Sequence, residues 1–220
     1  MRPPLPDLVE TAAGPARVLL VDDRLVVVDK PSGVLSVPGI GPEKQDCLVA
    51  RVAAAIPGAR IVHRLDRDTS GVIILARDAA AHRELSRQFQ DREVRKAYVA
   101  VVDGVVEADS GTIDLPMRKD LDDAPRQIID HEHGRHAITH WSVLERGADR
   151  TRLDLRPVTG RSHQLRLHMK VIGHPILGDD LYADPTARAK ADRLLLHALW
   201  LWFVHPETAA PVTVEAPAPF

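Results

Sequence analysis

The stretch I-V-H-R-L-D-R-D-T-S-G-V-I-I-L-A-R-D, Ile61 to Asp78, breaks a β-like segment with a charged loop. Ile61-Val62 and Val72-Ile73-Ile74-Leu75 are short apolar runs of the kind that fill buried strands. Between them stand Arg64, Asp66, Arg67 and Asp68. The loop closes on Thr69-Ser70-Gly71, residue types that set a tight turn through side-chain hydrogen bonds to the backbone. A carboxylate carried on such a loop, with guanidinium groups beside it that favour its ionised form when close, is placed to act as nucleophile or general base. The same local pattern also fits a plain charged hairpin turn, its aspartates and arginines paired with one another.

Outward from this stretch, Ala16–Asp23 and Arg24–Gly33 read as two strands joined at Asp22-Asp23, and Val34–Gly39 as a short extended piece. Residues 46–55 have helical spacing after Asp46, a candidate N-cap, and Asp78 is placed to cap a second helix from Ala79 to about Asp91. Arg95–Val106 alternates and turns at Asp103-Gly104. Residues 115–130, with two prolines and no clean period, read as a long surface loop. His136–Glu145 and Thr151–Val158 read as strands. Thr159-Gly160 opens a helix from about Arg161 to Ile172, closed by Gly173. Residues 194–206 and 211–217 supply the last strands. Many strands and few helices predict an α+β domain on a mixed, largely antiparallel sheet.

The 220 residues, 45% hydrophobic and 27% charged, suit a globular chain with a real core. A single cysteine, Cys47, excludes a disulfide framework and suits a reducing compartment. The start MRPPLPDLVE lacks the apolar run of a secretory signal, and the longest apolar stretch, Leu194–Val204, contains His197 and is too short to span a bilayer. A cytoplasmic location is expected, and a monomer, since no exposed apolar helix stripe is evident. Net charge is −2, so any nucleic-acid binding must rely on basic residues gathered on one face.

Two further stretches carry chemistry. Tyr98, in RKAYVA, stands on a strand where an aromatic can stack on a planar ring or donate a hydrogen bond, or simply fill the core. The segment 159–182, TGRSHQLRLHMKVIGHPILGDDLY, opens its helix with Arg161, His163, Gln164, Arg166 and His168, a polar set that packing through Leu165, Met169 and Ile172 does not explain. Arginine near a helix start suits phosphate or carboxylate partners.

Taken together, HRLDRDTSGV, RKAYVAVV and TGRSHQLRLHM…IGHPILGDDLY, with VVVDKPSGVLSVPG before them and RLLLHA after, resemble the motif set of the RluA-type pseudouridine synthases. The resemblance runs from about Val18 to the end, in the family's order. It implies an irregular arm over 1–17 and one catalytic domain over 18–220 with RNA-gripping loops and no separate N-terminal RNA-binding domain. It implies an isomerase that converts a specific uridine to pseudouridine without cofactor or metal, in structured RNA: 23S ribosomal RNA, a tRNA anticodon stem-loop, or both. By the same resemblance Asp66 is the catalytic aspartate, Tyr98 stacks on the target base, and Arg166 pairs with the aspartate. Arg64 fills the gap left by the flipped nucleotide. Arg67, Arg161, His163 and Gln164 are the further candidates for RNA contact. Where the family commonly has Gly-Lys-x-Ala-x-Thr, this chain has Gly134-Arg135-His136-Ala137-Ile138-Thr139, which keeps the charge.

The chemistry agrees with that expectation. The reaction exchanges a bond from ribose C1′ to N1 for one from C1′ to C5, and nothing is oxidised. It needs a carboxylate near the sugar and a base taken out of its stack, which costs a few kcal/mol and least in a loop. An inserted arginine and an aromatic under the base offset part of this. Three rival readings compete. His131, His133, His136 and His140 form a histidine-rich turn without the His-Glu-x-x-His pattern of a zinc site. A non-catalytic RNA binder would keep the arginines but have no use for Asp66 or Tyr98. A glycoside hydrolase would pair Asp66 with Asp68, but only 4% of the chain is aromatic, a poor platform for sugars.

Overall fold

Leu25 to Val28 are all fully buried, and so are Ser70 to Ala76. Unbroken apolar runs of this kind belong to strands covered on both faces. The computed structural model describes residues 6–220. In chain order its elements are β1 (Leu8–Val9), β2 (Ala16–Val21), β3 (Leu25–Lys30), α1 (Leu48–Ala55), β4 (Arg60–Ile61), β5 (Ser70–Ala76), α2 (Ala79–Gln90) and β6 (Arg95–Asp103). There follow β7 (Ser110–Asp114), β8 (Met117–Lys119), β9 (Gln127–Ile129), β10 (Ile138–Arg146), β11 (Arg150–Pro157), α3 (Gln164–Val171), α4 (Pro185–Ala189), β12 (Leu196–Val204) and β13 (Pro211–Glu215). The class is α+β, and the strand pairs are antiparallel in β2–β3, β3–β5, β6–β11, β10–β11 and β7–β10.

The chain divides into two units, one running up to Lys96 and including Ala198–Pro219, the other Ala97–His197 with Phe220. In the first, strands follow the order β1-β2-β3-β5-β12, with β13 on β12 and β4 on β5. Leu25, Val27, Val72, Ile74, Leu85 of α2 and Phe203 form its core. In the second the order is β6-β11-β10-β7. Leu153 and Leu155 of β11 pack there with Leu165 and Met169 of α3, and with Ile176.

Several local expectations are corrected. Asp78 does cap α2, accepting from the backbone N–H of Ala80 (2.7 Å) and Ala81 (2.9 Å). Asp46 does not cap α1: its carboxylate takes the guanidinium of Arg51 (2.7 and 2.8 Å), and Cys47 occupies the cap position. Residues 115–130 are not a plain loop but contain the β8–β9 hairpin, in register from Met117↔Ile129 to Lys119↔Gln127. Helix α3 starts at Gln164, because His163 adopts a left-handed conformation (φ 54°) that ends the preceding turn. In the segment 1–17, Leu8–Val9 pairs with β2 and Ala16 already belongs to β2; residues 1–5 lie outside the described residues.

Candidate active site

The pairing of β3 with β5 sets Lys30 opposite Gly71, at the exit of the charged loop. Gly71 has φ +111°, and a Cβ there would come within 2.2 Å of the Ala198 carbonyl oxygen, so only glycine fits. Lys30 is wholly buried. Its ammonium donates to the carbonyls of Arg67 (2.8 Å), Val34 (2.8 Å) and Pro31 (3.0 Å), three acceptors for three N–H bonds. Desolvating an ammonium costs several kcal/mol, and this cage of carbonyls is what offsets it. Gly33 N–H adds a second bond to Arg67 O (3.0 Å), and Ser32 Oγ donates to Asp68 O (2.7 Å). On the other side of Asp66, Ser36 Oγ donates to Leu65 O (2.7 Å) and accepts from Leu65 N–H (3.1 Å). The turn 30–36 is therefore a cradle that pins the backbone on both sides of Asp66.

Asp66 itself is partly exposed, and its carboxylate has no hydrogen-bond or ion-pair partner among the described residues; the same is true of the exposed guanidinium of Arg64. Arg67, by contrast, forks onto Asp68 (2.9 and 3.0 Å). The two local readings of the loop thus divide between its residues: the second Arg-Asp pair is a charged turn, and Asp66 is presented. With its carboxylate in that fork, Asp68 is not the free second acid a glycosidase pair requires. His63 accepts from Ile74 N–H through Nε2 (3.1 Å) and stacks on Phe89 at 4.4 Å. Burial, reinforced by the charge of Lys96, pushes its pKa down to about 3 and keeps the ring neutral.

In the second unit, Tyr98 sits half-buried on β6, opposite Leu155, against the core. Arg166, on α3, is buried, with Nε donating to Asp179 (2.7 Å) and Nη2 to Asp179 (2.5 Å) and Asp180 (2.8 Å). The bidentate, charge-assisted geometry fixes the plane of the guanidinium. Asp179 also accepts from the N–H groups of Leu181 and Tyr182 (both 2.9 Å), which folds the Gly178–Tyr182 turn around the same carboxylate. The Tyr182 ring lies 5.3 Å under the Arg166 guanidinium, and its hydroxyl bonds His163 Nδ1 (3.0 Å) and accepts from Gln127 N–H of β9 (2.8 Å). The hairpin is thereby tied to the start of α3, and Arg126 Nε reinforces the tie by donating to Leu181 O (2.8 Å).

The fork of Arg166 closes on Asp179 and Asp180. Gln164, expected at RNA, is buried. It accepts from Thr159 Oγ1 (2.7 Å) and Arg161 N–H (3.0 Å) and donates to Ile138 O and Thr139 Oγ1 (both 3.0 Å), so its amide is occupied in seating α3 on β10. Arg161 Nε donates to His136 O (3.1 Å), and His163 is held by Tyr182. Of the four histidines in 131–140, His136 faces Asp114 (3.1 Å) and His140 faces Thr112 (2.8 Å). Among the described residues no group of three or more histidines, cysteines or carboxylates is arranged to hold a metal ion. The supporting residues Lys30, Ser36, Asp179 and Tyr182 escaped assignment from sequence, although a lysine ending an apolar strand before Pro-Ser-Gly was a visible signal for the first.

The family model for RNA pseudouridylate synthase matches residues 24–170. The chain is 50% identical over 204 residues to the dual-specificity RNA pseudouridine synthase RluA of Yersinia pestis, covering 92% of this chain and 99% of that protein. It is 50% identical to the protein of the same name from Escherichia coli K12, over 92% and 93% of the two chains. The solved structure of human RNA pseudouridylate synthase domain containing 1 superposes with a TM-score of 0.79 at 30% identity, covering 93% of this chain and 84% of that one. That of human RNA pseudouridylate synthase domain containing 4 gives 0.75 at 24%, over 92% and 88%, and shares the fold. No helix among the described residues is long and apolar enough to cross a membrane. On sequence and fold alike, the chain belongs to the RNA pseudouridylate synthase family.

Proposed function

We propose that this enzyme isomerises a specific uridine in 23S ribosomal RNA and in a tRNA anticodon stem-loop, in the cytoplasm, with Asp66 as the catalytic carboxylate. The observation that carries the reading is the Asp66 loop: backbone fixed on both sides by Ser36 and Lys30, side chain left without a protein partner. Such a group is held ready for substrate at no reorganisation cost. In the reaction the C1′–N1 bond breaks, the uracil turns, and a C1′–C5 bond forms; the proton on C5 is lost and N1 gains one, so atoms and electrons balance with no oxidant. Asp66 acts on the flipped-out nucleotide, Tyr98 stacks on its base, and Arg166, its plane set by Asp179, contributes positive charge. Arg64, exposed and unpartnered, enters the space the nucleotide vacates. Action on two RNAs is supported by the dual specificity in the names of relatives that share about half their residues with this chain; the choice of 23S ribosomal RNA and a tRNA stem-loop follows the resemblance of the motifs.

The test is Asp66→Ala assayed on a 23S fragment and an anticodon stem-loop. Turnover is expected to vanish on both RNAs while binding stays within about threefold, since binding rests mainly on phosphate contacts. Residual isomerisation by the variant overturns the role of Asp66, and wild-type activity on one RNA alone removes the other target.

A further inference from the structure

Lys96 is a cation that the reading above leaves without a task. It stands on β6 two residues before Tyr98, and residues two apart on a strand point to the same face. It is half-buried, yet its ammonium has no hydrogen-bond or ion-pair partner among the described residues. Its neighbour in charge is His63, which is neutral, and Arg64 beside His63 has no anion either. In this unit Arg24 holds Asp78 and Glu207, Arg51 holds Asp46, Arg67 holds Asp68, and Arg87 holds Glu84, Asp91 and Glu93, while Arg60, Arg83, Arg92 and Arg95, without an ion pair among the described residues, are exposed to water; Lys96 differs from these in being half-buried. A partly desolvated ammonium without a counter-charge is unfavourable in the free protein, and burial pushes the Lys96 pKa down to about 8. An incoming anion reverses that cost, and lysine is suited to the task as a point charge on phosphate.

We propose that Lys96 is an RNA-binding residue that takes a backbone phosphate of the substrate beside the nucleotide carried by Tyr98. The inference rests on the RNA pseudouridine synthase reading and adds a contact to it. A phosphate contact holds ground state and transition state alike, so it acts on KM and not on kcat.

The experiment compares wild type, Lys96→Met and Lys96→Arg on an anticodon stem-loop RNA, measuring kcat, KM and the dependence of Kd on salt. For Lys96→Met, KM is expected to rise about fivefold with kcat within twofold, and the slope of log Kd against log salt to become shallower by about 0.7 to 0.9, the loss of one phosphate contact. Lys96→Arg is expected to restore the slope. An unchanged slope with only a lower melting temperature in Lys96→Met overturns the proposal and makes Lys96 a packing residue. A fall in kcat at unchanged KM also overturns it. If Lys96→Met fails to fold, Lys96→Gln serves for the same slope. A wild type that binds but does not isomerise overturns the catalytic reading while leaving the slope test of Lys96 standing.

Discussion

The hydroxyl of Ser36 makes both hydrogen bonds of the residue that precedes Asp66. Ser36→Ala leaves a buried N–H and a buried carbonyl of Leu65 without partners, an expected loss of about 1 to 3 kcal/mol. The loop then samples other positions, and a reacting group misplaced by an ångström loses much of its rate. We expect kcat to drop at least tenfold with KM within twofold, measured with thermal melting on the same samples; a kcat that tracks stability alone counts against a positioning role. At this scale the sequence was legible where structure is local. The apolar runs around His-Arg-Leu-Asp marked a loop before β5, and Gly71 was marked as its turn. Ser36 was not legible, since its partner lies 29 residues away and a lone serine signals nothing by itself. The four bonds that Gln164 makes within its own protein were not legible for a related reason, because a polar side chain at a helix start looks alike whatever it faces.

Among the elements, the β8–β9 hairpin shows how tertiary bonds hold what local propensity leaves open. Its sequence has two prolines, a string of aspartates and only three paired positions, so no period announced it. The Tyr182 hydroxyl holds it from outside, through Gln127 N–H. Tyr182→Phe keeps the ring under Arg166 and removes the hydroxyl, with its bonds to Gln127 N–H and His163 Nδ1. About 1 kcal/mol of local stability should go, and hydrogen exchange at Gln127 and its neighbours should quicken about fivefold while β10 and β11 are unchanged. Uniform acceleration through the second unit would instead assign Tyr182 to the core. The helices divide in the same way. Asp78 capped α2 as the sequence suggested, whereas Asp46 found Arg51, a charged partner one turn along, and left α1 to begin on Cys47. The late start of α3 follows from the left-handed backbone at His163, which a non-glycine residue rarely announces.

Across the whole molecule, His63 in the first unit and His168 in the second are held neutral by desolvation, at about 3 and about 4 against an ordinary 6.5. Between those values and 6.5 the unfolded chain binds more protons than the folded one. Stability is therefore complete above pH 6.5 and falls as pH drops towards the folded pKa. From pH 7 to pH 5 each histidine should remove roughly 2 kcal/mol, read as a lower urea midpoint. Substituting His168 by glutamine should flatten the response of its own unit, and an unchanged midpoint between these pH values would refute the assignment. The α+β class was legible from strand count, and function from five motifs in order. The division into two units was not, because its boundaries, Lys96/Ala97 and His197/Ala198, fall inside strands β6 and β12, where no turn or linker residues mark them. Lys30 has a last consequence. A charged group sealed among three carbonyls cannot be half released, since any intermediate opening strands an ion away from solvent. The segment around Asp66 should accordingly switch cooperatively between intact and melted, with no loosened form in between, so the protein is spared a population of folded molecules bearing a wandering carboxylate.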